Sequence, residues 1–224
     1  MSDTVITVRG SFSGRYAPEH AVVAATVSFD GPERDPVFAR ATGIAATLQE
    51  QLAALHDAQT GPVIRWSAQR ARVWSQRPWN EQGRQLPPVY HAQLDLSATF
   101  VDSEALARWV ETASTTDGVQ LHGIGWRLSE ESERAALAEV RAAAVTDALE
   151  RARAFASSLG LSELDPLALA DPGMLGDPAG PQHGGMEAMS LRASKDMAMG
   201  GSELSFTPEE LEISAAVDAR FAAR

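Results

Sequence analysis

The chain contains no cysteine. That excludes a disulfide scaffold, a thiolate zinc site, an iron–sulfur cluster and a cysteine nucleophile. It has a single lysine, Lys195, and only 19 Lys+Arg against 30 Asp+Glu, for a net charge of −11. A sequence pI near 4.9 argues against general nucleic-acid binding, which needs a basic face to displace counterions. No run reaches the ~18 apolar residues of a membrane helix, so no membrane span is expected. Met1-Ser2-Asp3-Thr4 leads directly into an alternating run with no basic segment and apolar core of a secretion signal, and the expected compartment is the cytoplasm.

The catalytic signatures are also missing. Gly10-Ser11-Phe12-Ser13-Gly14 has the outline of a nucleophile elbow, but its centre is Phe12. Gly123-Ile124-Gly125 lacks the third glycine of a dinucleotide loop, and there is no phosphate-binding loop. His20, His56, His91, His122 and His183 form no metal-ligand spacing. His91 and Asp95 share a strand face, yet at ~3.3 Å per residue they stand about 13 Å apart, too far for one ion. No cofactor, metal site or catalytic residue is expected.

What is present is a series of short periodic elements in 224 residues, enough to bury a core without staples. Thr4–Arg9 and Ala21–Asp30 alternate as strands, with Val23, Ala25, Val27 and Phe29 on one face of the second. Asp35-Pro36 suits a helix start, and Val37, Ile44, Leu48, Leu52 and Leu55 share a helical face. Val63–Trp74 reads as a strand whose alternation slips near Ala68–Ala71, followed by a hairpin loop, Arg77–Pro88. From Tyr90 to Phe100 the alternation is unbroken.

A short helix follows, capped by Asp102 or Ser103, and then a strand, Val119–Leu128, whose parity shifts at Gly123 as at a bulge. Ser129 caps the longest helix, to about Leu159, with Leu137, Ala144, Ala148, Ala152, Phe155 and Leu159 as its buried stripe and Gly160 as terminator. Residues 171–201 hold seven of the 17 glycines and five of the six methionines without periodicity, which predicts a long mobile loop. Leu211 to Phe221 alternates again, as a last strand. The order ββα-ββα-βα-β predicts an α+β protein, with antiparallel sheet covered by three helices. It is one domain with lobes expected at 1–62 with 203–224, and at 63–170.

Three segments together resemble the SIMPL-domain family. They are Ile6-Thr7-Val8-Arg9-Gly10 with Pro18-Glu19-His20-Ala21, then Ala144, Ala148, Ala152 and Ala156 leading to Leu159-Gly160, and finally Glu212-Ile213-Ser214-Ala215-Ala216-Val217 running to Phe221. Tyr90-x-Ala92 and the Met-rich loop also fit, so the resemblance covers nearly the whole chain. The family is named for a kinase-associated signalling molecule and includes bacterial periplasmic immunogenic and oxidative-stress-defence proteins. It implies an α+β fold and a tendency to form ring- or channel-like homo-oligomers, and it supplies no catalytic residues. Two departures stand out: no secretion signal is visible, and Pro18-Glu19 replaces the usual Pro-Asp.

The most unusual stretch is Arg65–Arg84. Arg65, Arg70, Arg72, Arg77 and Arg84 alternate with Trp66, Trp74 and Trp79, and the one acid, Glu81, leaves a local charge of +4. Arg with Trp is the composition of interface hot spots. It also suits phosphate gripping with base stacking, or an edge hairpin whose Arg stems shield apolar surface. The methionines Met186, Met189, Met197 and Met199, with Met174 and His183, offer either soft Cu(I) ligands or a packing surface. The leading expectation is a non-enzymatic, self-assembling protein with a scaffold or stress-associated role. In it the Arg/Trp hairpin and the methionines are contact surfaces and the partner is a second copy of the chain. Alternatives are a binding protein for a small or anionic ligand between the lobes, and an enzyme with an unrecognised site.

Overall fold

The computed structural model describes residues 4–175 and 208–224. These form an α+β protein of eight strands and three helices, in two compact units. The expected Met-rich contact residues Met186, Met189, Met197 and Met199 lie outside the described residues.

One unit is built from residues 4–17, 128–175 and 209–224. Its sheet has the order β1-β8-β7, all antiparallel: β1 is Thr4–Tyr16, β7 Leu164–Ala170 and β8 Leu211–Ala223. Ile6, Val8, Val217, Ala219 and Phe221 turn one face toward the long helix α3, Glu130–Ser158. Ser129 Oγ caps α3 by accepting from the Ser132 N–H at 3.1 Å, as the sequence implies.

The buried row of α3 is Ala136, Val140, Ala144, Ala148, Ala152 and Ala156, spaced by four throughout. This corrects the stripe expected from sequence, because Leu137 is only half-buried and Phe155 (56%) and Leu159 are exposed. A row with a spacing of four follows the inclined ridge of a helix rather than a line along its axis. Small residues on that ridge let the backbones meet: a Cβ on Gly10 of β1 would stand 2.1 Å from the Ala144 carbonyl oxygen.

The other unit is residues 18–127. Strand β2 (His20–Gly31) and helix α1 (Arg34–Leu55) therefore group with the residues that follow them, not with the chain ends as the expected lobe limits have it. Strand β3 is Val63–Ala68, β4 Arg72–Gln76, β5 Val89–Phe100, helix α2 Ser103–Thr115 and β6 Val119–Arg127. The sheet order is β3-β5-β2-β6, with β4 continuing along the β3 side of β5. Taken as one interrupted strand, β3/β4 completes a β-α-β-β-α-β ferredoxin-like arrangement.

Both helices cover one face of this sheet. Val37, Ala41, Ala45, Leu48 and Leu52 of α1, with Leu106, Trp109 and Val110 of α2, pack on Val23, Ala25, Val27, Leu94, Leu96 and Phe100. Helix α1 starts one residue before Asp35, after Glu33, which makes no side-chain cap, so Asp35 is a first-turn acid and not the cap. Asp102 does cap α2, accepting from the Glu104 and Ala105 N–H groups.

Candidate functional site

The face of the second unit's sheet opposite its helices is polar. Along β5 it carries His91, Gln93, Asp95, Ser97 and Thr99, and along β2 Ala24, Thr26 and Ser28, in direct register. Alternation explains the segregation, since each strand sends its apolar parity to the helices and its polar parity outward.

Two irregularities flank the central pair Thr26–Asp95. On one side the edge strand breaks: β3 ends with Ala68 opposite Leu96, and β4 begins with Arg72 opposite Gln93. In the gap the Gln69 N–H donates to the Asp95 carbonyl at 2.8 Å. This is the alternation slip expected near Ala68–Ala71, resolved as a break between two short strands. On the other side the β2–β6 register shifts between Val23 and Ala25, opposite Gly123, whose φ of +112° is left to glycine. The bulge expected at Gly123 is thus present, and it brings His122 beside Thr26. Between these features lies a depression of about 400 Å³, lined by Ala24, Thr26, Gln93, Asp95, Gln120 and His122 among others.

Its hydrogen bonds run in one direction. The Thr26 hydroxyl, only 7% exposed as a residue, donates to Asp95 Oδ1 at 2.7 Å. Gln93 Nε2 donates to the same oxygen at 3.0 Å. Asp95 Oδ2 faces the Arg72 guanidinium at 3.6 Å. The Thr26 and Gln93 bonds, with the Arg72 charge behind them, hold the Asp95 carboxyl below the usual carboxylate range, outweighing its partial burial. An ionised carboxylate only accepts, so the one hydroxyl hydrogen of Thr26 is committed to it. His122 Nε2, 2.6 Å from Thr26 Oγ1, is therefore the donor of that contact. The order carboxylate–hydroxyl–imidazole differs from that of a nucleophilic triad, in which the imidazole sits between and takes the hydroxyl proton.

Sequence reasoning places His91 and Asp95 on one face, as observed, but it does not find this cluster. Thr26, Asp95 and His122 are far apart in sequence, and only strand register unites them. The usable signal is the polar parity of β2, where Thr26 and Ser28 interrupt a strand whose other side is wholly apolar. His91 instead stacks on its cross-strand partner Trp74, ring centroids 5.2 Å apart.

The Arg/Trp segment is divided by the same alternation. Trp66 turns to the helix side and packs half-buried against the core. Arg65 and Arg72 share the polar face with Trp74, which is 45% exposed. Arg70 lies exposed in the break, and Arg77, Trp79 and Arg84 lie in the hairpin loop, with Trp79 66% exposed and bridged to Gln85. Asn80 organises that loop, its Oδ1 accepting from the Gln82 and Arg84 N–H groups. Among the described residues no group of three His, Asp or Glu side chains could hold a metal ion. No described helix is long and apolar enough to cross a membrane.

Comparison with curated proteins finds no match. The sequence pattern of SIMPL, described as a protein of unknown function (DUF541), matches residues 6–221. That span runs from Ile6 of β1 to Phe221 of β8 and takes in both units, so the resemblance read from β1, α3 and β8 extends across the whole fold and the chain belongs to the SIMPL family.

Proposed function

We propose that this SIMPL-family chain is a non-enzymatic, self-assembling protein with a scaffold or stress-associated role, and that β4 with its hairpin loop is its assembly surface. The observation that carries the reading is the edge at β4. This strand pairs with β5 and, among the described residues, with no strand on its other side. It presents Trp74, 45% exposed, and, just beyond it, the more exposed Trp79, among Arg70, Arg72, Arg77 and Arg84.

An open edge with unpaired backbone groups is a template for another strand unless something blunts it. Exposed Trp with Arg is the side-chain content that anchors protein interfaces. A +4 hairpin on a chain of net charge −11 is complementary to the rest of a second copy, which favours head-to-tail contact of the kind that closes rings. The carboxylate–hydroxyl–imidazole order described above supports a role other than nucleophilic catalysis.

Light scattering after size exclusion, run at several salt concentrations, tests the proposal. The expected result is a multiple of the 23.9 kDa chain mass that falls as salt screens the contact. Replacing Arg77 and Trp79 by alanine should release monomer. A strict monomer at tens of micromolar, or an assembly indifferent to that double replacement, overturns it.

A further inference from the structure

We propose that the depression around Asp95 is a binding site for a small organic cation, a primary alkyl ammonium, held by Asp95 Oδ2. The direction of the hydrogen bonds carries the assignment. Every donor of the cluster with a partner is spent inward: the Thr26 hydroxyl and Gln93 Nε2 on Asp95 Oδ1, and His122 Nε2–H on Thr26 Oγ1. Around Asp95 what remains is mostly acceptors, the second Gln93 Nε2–H being the exception. Asp95 keeps Oδ2 and Gln93 keeps its amide oxygen. A guest for these atoms must bring hydrogen-bond donors, and one facing an ionised carboxylate gains by bringing positive charge as well. An ammonium group, with three donors and no acceptor, matches that set.

The chain already places a cation of its own there, loosely. Arg72 Nη2 stands 3.6 Å from Asp95 Oδ2, beyond hydrogen-bond length, on a side chain that is 71% exposed. Such a pair contributes little and is readily displaced. Arg72 is thus an internal competitor, and its position marks where the charge of a guest would sit. A volume of about 400 Å³ suits a small molecule. The Trp74–His91 stack, further along the same face, offers an aromatic surface to an aliphatic body.

Calorimetric titration of the full chain with putrescine, and with 1,4-butanediol as its neutral counterpart of equal carbon length, tests the site. Saturable binding of putrescine is expected, with none of the diol. Asp95→Asn should weaken putrescine binding about ten-fold or more. Arg72→Gln should strengthen it several-fold, an effect opposite to any that misfolding produces. Equal binding of amine and diol, putrescine binding that survives Asp95→Asn, weaker binding in Arg72→Gln, or no saturable binding at all would overturn the assignment.

Discussion

Gly10 shows how little freedom a single position can have. A methyl group there would meet the Ala144 carbonyl oxygen at 2.1 Å and the Ala148 nitrogen at 2.5 Å, both backbone atoms that cannot swing aside. Gly10→Ala is expected to destabilise the chain by roughly 1–3 kcal/mol or more, the range for overpacking, as read from its denaturation midpoint in urea. Trp109 is a different case. It is 4% exposed, packs against Phe100, and its Nε1 has no hydrogen-bond partner. Trp109→Phe loses indole volume but also removes an orphaned donor worth roughly 1–3 kcal/mol. The variant should therefore fall within about 1.5 kcal/mol of the parent, well short of the ~3–5 kcal/mol typical of a large aromatic cut back to alanine. A larger loss would mean that the indole nitrogen does find a partner.

Among the elements, α2 depends visibly on one residue at its start. Asp102 Oδ1 accepts from two backbone N–H groups that the helix cannot otherwise satisfy. Asp102→Ala should cost about 1 kcal/mol, seen as a lower denaturation midpoint with unchanged slope. The Ser129 cap is legible in the sequence and that of α2 to within one residue, as are the strand alternation of β2 and β5 and the parity break at Gly123, because each is a local pattern with a local cause; the same signal misplaces the cap of α1 at Asp35. The parts that escaped are the ones decided elsewhere in the chain. Strand β7 hides its pattern: Pro166 interrupts it, and Leu167 and Leu169 are exposed while Ala168 and Ala170 between and beyond them are half-buried. It is an edge strand, specified by its pairing with β8. The buried ridge of α3 runs through Ala136, Val140 and four alanines beyond them, not through the larger Leu137, Phe155 and Leu159. The close approach of β1 rewards small side chains. The Thr26–Asp95–His122 cluster was illegible for the same reason as β7, since it exists only through register.

For the molecule as a whole, acid should be destabilising in both units. In the first, the Arg9 guanidinium, at 2.8 Å, and the Gly173 N–H hold the Asp218 carboxyl below the usual range, and the Ser11 N–H and Arg151 do the same for Asp147. In the second, Thr26 and Gln93 act on Asp95, and the Gln59 and Thr60 N–H groups act on Asp57. A carboxyl with a depressed native pKa stabilises the fold fully above its unfolded value. That stabilisation is lost as pH falls through the native value. Thermal midpoints should accordingly hold from neutrality to about pH 5 and decline from about pH 4 downward. Asp218→Asn should lower the midpoint at neutral pH and make the acid decline shallower; a parallel decline would remove Asp218 from the account. The strand order of the first unit has one more consequence, which concerns time. Its middle strand is β8, and Thr4 of β1 pairs with Ala223 of β8. Residues 18–127 can pair and pack among themselves while synthesis continues, whereas β1 and β7 have no common partner until β8 emerges from the ribosome. Strand β1 is thus made before the other seven strands of the fold and is among the last to find its place.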